Sequence, residues 1–358
     1  MIVKDEAHVI ARCLASVRPL IDHWIVVDTG STDGTQALVR AALADVPGRL
    51  VERPWRDFAH NRSEALALAR SLATYTLVID ADDELVLPPG FTPPNLAADT
   101  YSVDIVYDAV TYRRPQLVRN VLAWRYRGVL HEFLDCPEAT THGHLPIVMR
   151  INHEGARSTD PQTYARDAAV LEQALAEETD PFLVARYTFY LAQSYRDCGR
   201  AEQAITHYLA RAELGFWDQE VFVSLLQAGR LMEACGHAVD AILDTYRRAS
   251  AACPSRAEAA HAASRLCRLR ERFADGCALA ASALSLSMPA DGLFVEPWIY
   301  AYGLRDEYAV NAYWAGLNRE CLSACIDLLE REDLPTAYRQ RVAANARFAL
   351  NRLGSGAN

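Results

Sequence analysis

The chain reads as an α/β domain over residues 1–158 followed by an all-α domain of helical hairpins over 159–358. Three observations lead there. Short apolar runs rich in β-branched residues alternate with amphipathic stretches, the pattern of strands and helices in an open, mostly parallel sheet. The runs end in polar clusters, and ligands of such sheets bind beyond the carboxyl ends of the strands. From Thr159-Asp160-Pro161 onward the composition shifts towards Ala, Leu, Arg and Glu, with helical periodicity almost to the end.

Composition narrows the field. With 358 residues, 51% of them hydrophobic, the chain can bury a full core. A net charge of −10 argues against nucleic acid as a partner. No run reaches the roughly 18 apolar residues of a membrane span. No signal peptide is read ahead of the first strand, and the cytoplasm is the expected compartment. Nine cysteines without a C-x-x-C pair read as small apolar residues in a reducing environment. Cys321 and Cys325, on one helix face, read as packing.

Met1-Ile2-Val3 is a short first strand, followed by Lys4-Asp5-Glu6. Val9, Ile10, Cys13, Leu14 and Val17 mark a helix by their three- and four-residue spacing. Trp24 to Val27 is a second strand, running into Asp28-Thr29-Gly30-Ser31-Thr32-Asp33-Gly34-Thr35. Glycine permits the tight strand-to-helix turn there, and Asp33 or Thr35 can cap the next helix. Leu50-Val51-Glu52 is a third strand, and a helix from about Ala59 carries Asn61 and Arg62 in its first turn. The fourth strand, Tyr75 to Ile79, ends in Asp80-Ala81-Asp82-Asp83-Glu84, four acidic residues within five positions. Such crowded carboxylates belong in water or around a cation, and hard oxygen ligands suit Mg²⁺ or Mn²⁺. Tyr101, Val103, Ile105 and Tyr107 then alternate with polar residues, which puts Asp104 and Asp108 on the other face of a strand. His131-Glu132 and His153-Glu154 close two further apolar runs.

Taken as a set, Met1-Ile-Val-Lys-Asp-Glu, Val27-Asp-Thr-Gly-Ser-Thr-Asp-Gly-Thr, Trp55-Arg-Asp-Phe with Asn61-Arg62, and Ile79-Asp-Ala-Asp-Asp-Glu resemble family 2 glycosyltransferases of the GT-A (Rossmann-like) fold. The resemblance covers about the first 90 residues. It implies inverting transfer of a sugar from a nucleoside diphosphate, with UDP favoured. By that similarity Asp28 contacts the uracil or ribose, and Asp80 the ribose or the metal's waters. Asp57, Asn61 and Arg62 line the donor site, and Lys4, Glu6, Asp33 and Ala81 belong to the same donor-binding motifs. Asp82 holds Mn²⁺ or Mg²⁺, with His131 or His153 completing its shell. Glu132 is the expected general base, and Asp104 and Asp108 are its reserves. The Gly-x-Gly-x-x-Gly turn of dinucleotide-binding sheets is missing.

In the second half, Asp197-Cys198-Gly199 is echoed by Ala234-Cys235-Gly236. Leu191, Ala192, Tyr195, Gly199, Ala204 and Tyr208 fall near the places of a tetratricopeptide repeat. Such stacks make concave surfaces suited to peptides. The alternative is a domain that props up the transferase or makes a homodimer. The architecture resembles bacterial enzymes that glycosylate peptides or proteins. Two other readings stay open: a non-catalytic scaffold that binds a sugar nucleotide, and a nucleotidyltransferase on a similar sheet.

Overall fold

The computed structural model describes the whole chain except residues 108–109, 153, 155–159, 291 and 356–358. It divides into two compact units, Met1–Glu177 and Glu178–Asn358. His153 and Asp108 therefore lie outside the described residues.

The first unit runs β1 (Ile2–Val3), α1 (Ile10–Val17), β2 (Trp24–Asp28), α2 (Thr35–Ala42), β3 (Gly48–Glu52), α3 (Phe58–Ala69), β4 (Tyr75–Leu77) and β5 (Glu84–Val86). It continues with β6 (Thr100–Tyr107), β7 (Val110–Arg119), β8 (Arg125–Arg127), β9 (Phe133–Asp135), β10 (His142–Arg150) and α4 (Thr163–Glu177). The strand–helix alternation holds, but one mostly parallel sheet does not form. β1, β2 and β3 make a parallel sheet in that order, while β4 joins a mixed sheet ordered β4-β7-β6-β10-β5. Only the β6–β10 pair is parallel in the mixed sheet. The reason lies downstream: β6 and β7 build a long antiparallel ladder, and three-residue β4 adds to its edge from Tyr75↔Arg119 to Leu77↔Leu117.

Helix α1 joins the two sheets because its apolar residues fall on two adjacent stripes. Ile10 and Leu14 pack with Val3, Val26, Val39 and Leu43 against the parallel sheet. Cys13 and Val17 pack with Ile79, Leu85, Val103, Ile105 and Met149 of the mixed one. Ala81 reaches the first cluster and anchors the acidic turn in the core. A cavity of about 390 Å³ is lined from β1, β2, α1, α3 and β4 together with other strands of the mixed sheet. Its lining is mainly apolar, with Arg62 and Tyr126 among its walls.

The second unit is all helix: α5 (Pro181–Asp197), α6 (Ala201–Ala212), α7 (Asp218–Cys235), α8 (Val239–Ala252), α9 (Glu258–Leu269) and α10 (Phe273–Ala281). A π-helical turn at Ile299–Gly303 leads into α11 (Leu304–Trp314), followed by α12 (Asn318–Leu329) and α13 (Thr336–Ser355). Each helix from α5 to α13 packs on the next, as antiparallel hairpins do. The echoed glycines, Gly199 and Gly236, have φ of 81° and 77° and turn the chain at hairpin ends. Gly229 is small for another reason: a Cβ there would meet the Tyr246 ring at 2.4 Å. Leu191, Ala192, Tyr195, Ala204 and Tyr208 are all buried. All nine cysteines are free, and Cys321 and Cys325 lie in an apolar cluster with Leu328 and Val342. Among the described residues no helix is long and apolar enough to cross a membrane.

Candidate active site

The loops that leave β1 and β2 are knitted together. Asp5, left-handed at φ 56°, accepts from the Thr32 amide at 2.8 Å and donates its own amide to Ser31 Oγ at 2.9 Å. Asp33 accepts from the Ala7 amide at 2.8 Å and from the Thr35 amide and hydroxyl at 3.0 and 2.6 Å. The N-cap of α2 is Gly34, with Asp33 bonding one residue earlier. Asp33 thus holds the loop's shape, and Lys4 beside it is exposed. Glu6 is half-buried, and its amide donates to Thr35 Oγ1 at 2.9 Å.

This scaffold fixes Asp28 at the end of β2, fully buried. Its Oδ1 accepts from the amides of Gly30 and Ser31 at 2.9 Å each and from Gln36 Nε2 at 3.2 Å. Its Oδ2 is buried and has no hydrogen-bond partner among the described residues. Burial alone would push the Asp28 carboxyl up, but the hydrogen bonds from Ser31, Gly30 and Gln36 outweigh it and hold the group below its usual range. A buried carboxylate oxygen left without a donor is costly, and a ligand's N–H or O–H would satisfy it.

Two of the expected donor-site residues turn out to shape the loop into α3. Asp57 caps that helix by accepting from the His60 amide at 2.7 Å. Asn61, fully buried, accepts from the Arg56 amide at 3.0 Å and donates to the Pro54 carbonyl at 3.2 Å.

Arg62 is the centre of the rim. One guanidinium nitrogen lies 2.7 Å from Asp80 Oδ1, another lies 2.6 Å from Glu132 Oε1, and the Tyr126 ring centroid is 5.6 Å away. Glu132 reaches this point because β8 docks on α3, the Tyr126 amide donating to Ser63 Oγ at 2.8 Å. Gly128 at φ 102° and His131 at φ 52° then turn the chain. His131 itself is exposed.

The three successive aspartates have different surroundings. Burial would raise the Asp80 carboxyl, but the Arg62 charge and hydrogen bond overcome that and hold it low. Asp83 is buried, and burial together with the charges of Asp80 and Asp82 pushes its carboxyl up to about 7. Asp82 between them is half-buried. Burial also raises the Glu132 carboxyl, against the pull of Arg62. Among the described residues no group of three or more His, Cys, Asp and Glu side chains is gathered for a metal ion. Asp82, half-buried at the rim beside Asp80, is the side chain that would hold a hard cation, which takes one or two protein carboxylates and completes its shell with diphosphate and water.

Asp104 is on another errand. It pairs with Arg113 across the β6–β7 ladder, at 3.1 Å from Nε. Arg114, one residue on, acts on the site: its charge lowers the carboxyls of Asp80, Asp83 and Glu132. With the Gln116 amide oriented by its hydrogen bonds, Gln116 accepts from Arg114 Nε at 2.9 Å and donates to the Val78 carbonyl at 3.2 Å. Simple alternation does not place Arg114, because the β6–β7 register shifts at Gln116, between the pairs Tyr101↔Leu117 and Ser102↔Pro115.

An α/β unit with an acidic turn at its rim, joined to helical hairpins, defines the class. The family model described as "Glycosyl transferase family 2" matches residues 1–180. The chain belongs to that family. It is 38% identical over 234 residues to an uncharacterized glycosyltransferase of Rickettsia conorii, covering 62% of this chain and 77% of the relative. It is also 37% identical over 144 residues to a TPR repeat-containing protein of Synechococcus elongatus, 38% of this chain and 34% of the relative. The chain therefore spans about a third of the Synechococcus protein. Among solved structures it is similar to a thermophilic TPR protein of Thermus thermophilus, with 16% identity, 51% of this chain, 90% of that one and a TM-score of 0.33.

Proposed function

We propose that the chain transfers a sugar, with inversion, from a nucleoside-diphosphate donor (UDP favoured) to a peptide or protein acceptor. The observation that carries this reading is Asp28, a buried carboxylate held rigidly by Oδ1 with Oδ2 left without a partner. It lies at the end of β2, the strand beside β1 in the parallel sheet. A uracil N–H or ribose hydroxyl supplies the missing donor. Membership of family 2 supports the reaction class, and the hairpin unit supplies a surface of the kind that suits peptides.

A divalent cation on Asp82 would neutralise charge on the leaving diphosphate. Arg62 holds Asp80 and Glu132 in place, and Arg114 adds positive charge beside them. Glu132, raised by burial, takes the proton of the acceptor as its lone pair attacks the anomeric carbon. The anomeric carbon–oxygen bond breaks on the opposite face and the nucleoside diphosphate leaves. The transition state is oxocarbenium-like.

The test is a thermal-shift panel of UDP, GDP, dTDP and their sugars, with and without Mn²⁺. A ligand at a hundred times its Kd should stabilise by about 2.7 kcal/mol. A shift with UDP and Mn²⁺ is expected. No shift with any member would favour a helical scaffold carrying an inactive sheet domain.

A further inference from the structure

The Asp82 carboxylate can present one face to a cation only if its peptide is held still. The hold comes from two distant pieces of chain. The Asp82 carbonyl accepts from Asn152 Nδ2 at 3.0 Å and from Arg12 Nη2 at 3.3 Å. The same Arg12 nitrogen lies 2.6 Å from Glu154 Oε2. His8 Nε2, just ahead of α1, lies 2.5 Å from the Glu154 carbonyl. The start of α1, the acidic turn and the segment leaving β10 therefore meet at one carbonyl oxygen.

The plain alternative is a surface ion pair. Arg12 and Glu154 have side chains 40% and 55% exposed, and such pairs contribute little to stability. That reading leaves two facts without a cause: the second contact of the guanidinium with the Asp82 carbonyl, and a second donor, Asn152, on the same oxygen. Both converge on the residue whose carboxylate is expected to carry the cation.

The geometry points to Arg12 and Asn152 as positioning residues for Asp82, an inference that rests on the donor-site reading above. This role needs no contact of either residue with the cation or the donor. The two residues fix the peptide that follows the Asp82 Cα, so that the carboxylate meets the cation in one orientation. Glu154 holds the Arg12 guanidinium between its two contacts. Groups that orient a metal ligand typically change metal affinity 10–100-fold when removed.

The experiment measures Mn²⁺ binding by electron paramagnetic resonance in the presence of UDP, and UDP binding by calorimetry in EDTA, on the full chain. Arg12→Ala and Asn152→Ala should each weaken Mn²⁺ about 10-fold or more. UDP affinity in EDTA should stay within about twofold of the parent protein, because Asp28 and its loop are untouched. Arg12→Lys, which can keep one contact but not the planar fork, should fall between. Mn²⁺ affinity within about twofold of the parent for both alanine variants would overturn the inference. Equal losses with and without metal would also overturn it, as general loosening of the unit. If the parent protein bound UDP no better with Mn²⁺ than in EDTA, the donor-site reading would fall first and the inference with it.

Discussion

The most deeply buried ion pair of the helical unit and the charged rim of the first unit are balanced differently. In the helical unit, Arg256 and Glu258 are fully buried and meet fork to fork, at 2.9 and 2.8 Å. Glu258 also accepts from Tyr300 Oη at 2.8 Å, and Arg256 also donates to the Leu293 carbonyl at 3.0 Å. Arg211 and Glu220 are buried and paired through one bond, Nη2 to Oε2 at 2.9 Å, with Arg211 also donating to the Gly215 carbonyl. Such ion pairs balance buried charge inside the chain, although Arg211 Nε keeps no hydrogen-bond partner among the described residues. The rim of the first unit is left unfinished instead. Arg62 serves two carboxylates, Asp83 is raised to about 7, and Asp28 Oδ2 has no partner among the described residues. A protein tolerates that imbalance where a ligand completes it. The proposed function assigns the rim's unmatched charge to a ligand, whereas the helical unit pairs Arg256 with Glu258 inside the chain.

Substitutions should separate these two uses, from the largest effect to the smallest. Asp82→Asn keeps the shape but removes the charge that holds a hard cation. Transfer measured with Mn²⁺ should fall by roughly 10³-fold or more, in line with losing metal-based charge stabilisation worth several kcal/mol, while the melting temperature holds or rises. Near-normal turnover would remove Asp82 from the mechanism. Glu132→Gln should lower kcat about 10²–10⁴-fold with donor affinity kept. Steady-state kinetics would contradict the base assignment if KM for the donor moved and kcat did not.

The paired charges should show the reverse pattern, with large effects on stability and none on donor binding. Glu258→Ala leaves Arg256 buried without its partner and should cost about 3–5 kcal/mol in urea unfolding. The double change Arg256→Met with Glu258→Leu should recover most of it. A single change as mild as the double would break the comparison. Asp306 is the helical unit's weaker match, because its partner Arg341 is half exposed. Burial raises its carboxyl to about 6. A raised acid favours folding below its unfolded pKa near 3.8, and that contribution is lost as pH rises through about 6. Asp306→Asn should therefore gain in melting temperature over the parent between pH 4 and pH 7. A pH-independent difference would contradict the assignment.

Much of this could be read from the sequence where the signal is local. Periodicity marked α1, capping residues marked the start of α2, and the acidic turn after Ile79 announced itself by crowding alone. Strand pairing was not readable, because β4 joins β7 through contacts some forty residues apart that no local pattern encodes. Motif membership also did not tell what each side chain bonds to. Asp33, Asp57 and Asn61 sit in the motifs that carry the family resemblance, and their side chains bond to backbone and shape the loops. Arg12 gave no signal, since one arginine on an amphipathic helix looks like any other. Its role appears only when a carbonyl from seventy positions away is brought beside it.

The central claim is that the rim left unfinished at Asp28 is a nucleotide site. Calorimetric titration of UDP into the full chain and into Asp28→Asn, both with Mn²⁺, tests it most directly. Asn keeps the size of the side chain but offers Oδ2's place as an amide donor, which meets a uracil N–H with the wrong polarity and denies a ribose hydroxyl its charged acceptor. The parent protein should bind, and Asp28→Asn should lose about 10-fold or more in affinity, the scale of a charged hydrogen bond worth roughly 1.5–3 kcal/mol. Equal affinities for the two proteins would contradict the account.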